Sequence, residues 1–156
     1  MTDHASKALR LAKAVGEAMY ACDHAVRALG ITLEEVRPGR ARLSMTIRRD
    51  MLNSHQTCHG GISYTLADAA FGYAANSYNH IAVAANCDMT YLIPGREGDV
   101  LTAVGEERYL RGRNGVYDIT ITNQNGEVMA IFRGRCRRIQ GEVAPGLREA
   151  IEARPK

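Results

Sequence analysis

The sequence has no tryptophan and only two phenylalanines among its 156 residues. An interior built on large rings is therefore excluded, and aliphatic and small side chains must form it. Its four cysteines, Cys22, Cys58, Cys87 and Cys136, are widely separated and include no C-x-x-C pair. That pattern excludes a zinc knuckle and a thioredoxin-like redox motif, and it is too sparse for a secreted disulfide scaffold. The sequence also lacks an apolar run long enough to span a membrane and an apolar signal-peptide core at its start. A reduced, cytoplasmic setting follows from these absences. Charge of one sign is missing as well: the formal net charge is only +3, with no long basic block interleaved with aromatics. Neither nucleic acid nor a membrane surface is expected as a partner. The arginines do thicken between Arg108 and Arg138, where solvated strand faces and a polyphosphate-binding rim are both open readings.

What is present fits one globular domain over residues 1–156, with a core over about 18–141 and a tail over 142–156. From Ala5 to Leu29 apolar residues recur at helical spacing, and Gly30 follows as a stop. This predicts one or two helices, broken near Cys22-Asp23. Strands are expected over 31–36 and 41–48, hinged at Pro38-Gly39, because Leu43, Met45 and Ile47 alternate with polar neighbours. A helix is expected from Gly60 or Gly61 to Ser77, unusually rich in Ala and Gly on every side. A helix that lean suits close backbone approach, as beneath a wrapping sheet. Four more strands are expected over 81–92, 99–110, 114–122 and 128–139, with Asn125-Gly126 as a hairpin signal and alternating arginines marking the last as an outer strand. Pro145 to Arg154 reads as a short or frayed helical tail. The order implies an α+β fold: a largely antiparallel sheet packed on one long helix.

Chemistry concentrates between Asn53 and Asp68. Gly60 and Gly61 open the helix, where backbone N–H groups lack intrahelical acceptors and the dipole favours negative charge. Such a terminus can hold an oxyanion during acyl transfer. Asp68 lies two turns further on, in an apolar helix with little exposed face expected, so a paired or functionally shifted carboxylate is expected there. Asn53 supplies an amide able to orient water or a carbonyl. His55, Cys58 and His59 superficially suggest a metal, but the segment is turn-like and no second ligand cluster stands out. His59 is instead expected to brace the loop and Cys58 to pack.

The run Leu52-Asn53-x-His55-Gln56-x-Cys58-His59-Gly60-Gly61-x5-Leu66-Ala67-Asp68-x2-Phe71-x-Tyr73-Ala74-x-Asn76 closely resembles the phenylacetate-catabolism acyl-CoA thioesterases of the hotdog superfamily. Met19-Tyr20, Ala28-Leu29-Gly30-Ile31, Pro94-Gly95-x3-Gly98-Asp99, Gly115-Val116-Tyr117-Asp118 and Phe132-Arg133-Gly134 extend the similarity across about residues 18 to 141. The resemblance implies a curved antiparallel sheet wrapping the helix that starts at Gly60. It also implies a homodimer as the smallest active unit, commonly paired into a homotetramer. By position it makes Asp68 the catalytic acid, Gly60 the oxyanion-hole N–H, Asn53 a polar partner, and His59 and Gly61 part of the substrate-binding motif. It implies no cofactor, because the CoA thioester is the substrate. One departure is Ala69, where relatives often carry a hydroxyl directly after the acid.

Helix geometry bears on the dimer independently. Gly60 and Asp68 are eight residues apart, roughly 12 Å along one helix, so one carbonyl cannot touch both. A shared site requires Asp68 from a second, antiparallel helix. Asp68 would then act as general base or attack directly as nucleophile, and the residues leave both open. Arg111 and Arg113 are the candidates for the CoA phosphates, with Arg96 a weaker one, and Tyr64 or Tyr73 for the acyl pocket. The expected substrates are small aryl-acyl thioesters, ring-hydroxylated ones included. A hotdog hydratase or dehydratase, or a non-catalytic acyl-CoA sensor, are the alternatives.

Overall fold

The computed structural model describes residues 3–153. Two helices come first, α1 (Asp3–Cys22) and α2 (His24–Ala28). The break between them falls at the expected Cys22-Asp23, because Asp23 leaves the helix and its carboxylate accepts from the Val26 N–H as an N-cap. Gly30 ends the unit in a left-handed conformation (φ 69°). Strands β1 (Thr32–Arg37) and β2 (Arg40–Thr46) form the first hairpin, and a single 3₁₀ turn, Arg49–Met51, leads towards the long helix α3 (Gly60–Asn76). Four strands follow: β3 (Ala82–Tyr91), β4 (Val100–Arg111), β5 (Asn114–Thr122) and β6 (Val128–Arg138). A short helix, α4 (Leu147–Glu152), closes the described chain.

The strands make one antiparallel sheet in the order β1-β2-β4-β5-β6-β3. Its inward residues, among them Leu43, Met45, Ala103, Ile119, Ile121 and Phe132, enclose α3 through Leu66, Ala67, Ala70, Phe71 and Ala74. Glycine on the sheet meets the helix at two places. A Cβ on Gly105 would stand 3.0 Å from the Ala70 carbonyl oxygen, and one on Gly134 would stand 2.8 Å from the Phe71 ring. The lean composition of α3 therefore does bring its backbone against the sheet, but on one side only. Residues Gly61, Asp68 and the open-sided Gly72 lie away from the core.

One expectation needs correction. Strand β6 is not an outer strand: it lies between β5 and β3, and its arginines alternate because one face meets the core and the other meets solvent. The edges are β1 and β3. The hairpin signalled by Asn125-Gly126 is present: β5 and β6 pair directly across a loop over 123–127, tied by the Asn123 side-chain oxygen accepting from the Asn125 and Glu127 N–H groups. The helical tail expected over Pro145 to Arg154 is a short one, α4. Asn79 exchanges two hydrogen bonds with the Ala144 backbone, and α4 packs beside α1. Arg154, the end of the expected tail helix, lies outside the described residues.

Gly134→Val should destabilise the protein by about 1–3 kcal/mol, because the Phe71 ring would have to move within a filled core. Chemical denaturation against wild type checks it, and an unchanged midpoint would contradict the tight seat of α3.

Candidate active site

The segment before α3 is a small closed loop. An isolated bridge joins Leu52 to Cys58, and the Asn53 N–H donates to the Thr57 carbonyl at 2.8 Å. The Asn53 side-chain oxygen accepts from the His55 N–H (2.9 Å), the Thr57 N–H (3.3 Å) and the Thr57 hydroxyl (3.2 Å). Its acceptor is thus consumed by the loop, which also fixes the amide orientation. Only the NH₂ group is left to meet a ligand.

His59 is the N-cap of α3. Its Nδ1 accepts from the Gly61 N–H at 3.1 Å, which places the ring proton on Nε2. Gly61, expected to contact substrate, therefore has its N–H already occupied. The Gly60 N–H has no acceptor among the described residues, while its carbonyl accepts from Tyr91 Oη at 3.0 Å and Ser63 Oγ at 3.1 Å. The Gly60 peptide is held from two sides and keeps one free donor at a helix N-terminus. A Cβ at this position would press on the Tyr91 ring at 3.2 Å.

Beside Gly60 opens a cavity of about 290 Å³, walled by Tyr91, Ile93, Leu101, Ile121 and Met129. Tyr91 and these wall residues were not singled out from the sequence, and Tyr91 ends a strand that is exposed along nearly all of its length. Tyr73 is not at the site: it is buried in the core with its hydroxyl turned to Asp23, 3.3 Å away.

Gly60, Tyr64 and Asp68 follow at intervals of four, on one side of α3. Tyr64 stacks edge-on against Phe132 (5.3 Å between centroids) and interacts with Cys87 of β3 and with Asp68. Part of the Asp68 side chain meets solvent, contrary to the expected closed surroundings, yet the protein around its carboxyl removes enough hydration to push its pKa up. It has no hydrogen bond or ion pair among the described residues. Cys58 lines the Gly60 cavity, and burial pushes its thiol up, which disfavours a nucleophilic thiolate. Among the described residues, no three His, Cys, Asp or Glu side chains converge as a metal set would require.

Arg111 and Arg113 lie at the far end of the sheet. Strand β4 begins near Gly60, where Gly95 accepts from the Cys58 N–H, and ends where the Arg113 carbonyl accepts from Arg138, beyond the last turn of α3. A 17-residue helix separates the two ends, about 25 Å. Of the three arginines considered for the phosphates, Arg96, in the Pro94–Gly98 turn, is the one on the Gly60 side, and it is exposed.

A curved antiparallel sheet closed around one long helix defines this as a hotdog fold. Three comparisons narrow the class. The thioesterase superfamily profile matches residues 55–130. Acyl-coenzyme A thioesterase PaaI of Escherichia coli is 46% identical over 126 residues, covering 81% of this chain and 90% of that protein. The structure of the E. coli PaaI protein from the phenylacetic acid degradation operon superposes with a TM-score of 0.82, at 44% identity, over 88% of this chain and 97% of that one. A hypothetical thioesterase of Streptococcus pneumoniae with coenzyme A superposes with a TM-score of 0.68, at 28% identity, over 72% of this chain and 90% of that one. The chain belongs to the thioesterase superfamily.

Two measurements separate scaffolding from chemistry here. Asn53→Ala removes the loop's acceptor and should destabilise the fold by about 1 kcal/mol. Asn53→Asp keeps the acceptor and should preserve the melting temperature while lowering turnover, if the NH₂ group serves substrate. The raised pKa of Asp68 has a definite sign: ionising it in the folded state is unfavourable, so its stabilising contribution is complete below the unfolded carboxylate pKa and is lost as pH rises through the folded one. Asp68→Asn should therefore be the more stable protein at neutral pH, with the difference closing as the solution is acidified. Parallel melting curves across pH check this.

Proposed function

We propose that this chain is an acyl-CoA thioesterase that hydrolyses small aryl-acyl thioesters to the free acid and CoA. The observation that carries the reading is the Gly60 peptide: a free N–H at the start of α3, immobilised by Tyr91, beside an apolar cavity. A thioester carbonyl placed on that N–H gains stabilisation as it becomes an oxyanion. The cavity beside it accepts an apolar acyl body of the size of a phenyl group and its linker, in line with the phenylacetic acid operon from which the E. coli relative comes.

Water is the second reactant, and Asp68 is the carboxylate suited to activate it. A raised pKa makes it a stronger base than an ordinary aspartate. Direct attack by Asp68 on the carbonyl would use the same residue as nucleophile. Within one chain Asp68 is about 12 Å along the helix from Gly60, so the site is completed by a second copy. Two features support that assembly. Edge strand β3 is exposed along nearly all of its length, with Val83 and Tyr91 open to solvent. Beside it α3 presents Gly61, Asp68 and Gly72 on an uncovered side. Pairing two such faces about a two-fold axis sets the helices antiparallel and forms two equal sites. Arg111 and Arg113 then approach a Gly60 site only from the second copy, whereas Arg96 serves its own chain. A homotetramer made of two such dimers fits the same scheme. The chain has no described helix long and apolar enough to cross a membrane.

Thiol release from a panel of acyl-CoAs tests the activity. Aryl-acetyl thioesters should be favoured, and Asp68→Asn should lose turnover while retaining binding; thioester binding without thiol release by wild type would defeat the hydrolase reading. Mixing two dead variants tests the shared site. Asp68→Asn and Gly60→Val homodimers should each be inactive, and exchanging their subunits should restore about a quarter of wild-type activity, since half the dimers carry one intact site. No recovery after verified exchange would place both groups of each site in one chain.

A further inference from the structure

At the end of α3 remote from Gly60 lies a second and larger cavity, of about 470 Å³. It forms where the start of α1, helix α4, the end of β4 and the end of β6 meet. Ala8 and Leu11 of α1, Leu110 of β4 and Ile151 of α4 give it apolar walls. Its polar side is cationic, with Lys7, Arg138 and Arg148 among the lining residues. Two of these three are already engaged. Lys7 pairs with Asp3 at 3.1 Å, and Arg148 donates to the Tyr78 carbonyl at 3.0 Å and stands 3.9 Å from Glu142.

Arg138 is the exception. Its guanidinium lies over the Tyr78 ring, 5.1 Å from the centroid, and both Nε and Nη2 are buried without a hydrogen-bond acceptor among the described residues. No carboxylate of the described residues pairs with it. Glu107, which also interacts with Tyr78, accepts from the Tyr117 hydroxyl at 3.0 Å. Glu152 lines the cavity but is exposed. The local potential agrees: burial and the charges of Arg138 and Arg148 hold the His80 imidazole below its ordinary pKa despite the opposing Glu142. Two buried guanidinium donors without an acceptor are costly on the half-buried Arg138, and adjacent Nε and Nη2 groups offer the fork that a carboxylate meets in a bidentate pair.

We propose that this cavity is a binding site for an organic carboxylate with an apolar body, its carboxylate on Arg138 Nε and Nη2 and its body against Leu11, Leu110 and Ile151. The volume is that of a small-molecule site. Stacking on Tyr78 fixes the guanidinium plane before the ligand arrives, which limits the ordering cost of binding. The assignment does not rest on the hydrolytic reading, because none of its residues belongs to the Gly60 cavity.

Calorimetric titration of the full chain with hexanoate tests it, with hexanamide and inorganic phosphate as comparison probes. One saturable hexanoate site per chain is expected, with hexanamide and phosphate each at least about tenfold weaker, since one lacks the charge and the other the apolar body. Arg138→Gln should weaken hexanoate at least about tenfold, and Ala8→Trp, which fills the apolar end and leaves Arg138 in place, should abolish that site. Melting curves of both variants establish folding, and loss in a folded Ala8→Trp protein supports the site even where Arg138→Gln is unstable. Absence of saturable hexanoate binding to wild type overturns the proposal. So does binding that survives undiminished in folded Ala8→Trp, or phosphate binding as tightly as hexanoate.

Discussion

Everything in this protein is arranged around the need to seat one helix against a sheet at backbone distance. The contacts that permit it are between small groups: Gly105 beneath the Ala70 carbonyl, and Gly134 beneath the Phe71 ring. Larger residues on either side would lift α3 away and open voids beneath it. Because the sheet curls around α3 from one side, the same helix keeps an uncovered flank, and Asp68 stands on it. The helix also delivers its N-terminus to the sheet end where the loop from Leu52 to Cys58 closes. One packing requirement thereby positions an exposed acid and a free peptide donor.

The chemistry of the two positions is set by different physics. At Gly60 the field is that of the helix N-terminus, where unsatisfied N–H groups favour negative charge. His59 takes the Gly61 N–H for itself, which leaves Gly60 as the available donor. At Asp68 the governing effect is lost hydration, which opposes the charged form and raises its basicity. Two turns of helix keep them apart, so the rigidity that places each also prevents one chain from using both. The edge strand β3 is likewise left exposed along nearly all of its length, and an unpaired edge of that kind is what the proposed pairing with a second copy would use.

Strands such as β2 and β5 were legible because apolar and polar residues alternate along them, and β5 in particular matches its expected limits at both ends, Asn114 and Thr122. The start of α3 was legible because Gly60-Gly61 follows a turn-rich loop. What the sequence hid is positional. Alternating arginines on β6 look the same on an edge strand as on an interior strand with one wet face, so the period could not tell which strand was outermost. Asn53 was recognisable as a polar group near the site, but not that its oxygen is tied down by His55 and Thr57. Arg111 and Arg113 drew notice as a cluster, and only the direction of β4 reveals that they lie far from Gly60. Tyr91 escaped because nothing in its neighbours links it to a glycine 31 residues earlier.

The two ends of α3 differ in a way that the helix itself explains only in part. A helix C-terminus attracts cations, with an equivalent of about half a negative charge to offset. Arg148 answers that demand directly, donating to the Tyr78 carbonyl just past the last turn. Had Arg138 gathered there for the same reason, its guanidinium would also reach a carbonyl. It reaches none with Nε or Nη2, and lies instead over the Tyr78 ring at the wall of a cavity. The ring contact contributes about 1 kcal/mol, less than the cost of two desolvated and unmet donors. Packing and dipole together therefore account for one arginine and leave the other short of an acceptor, which is the physical reason to look for an anion in that cavity.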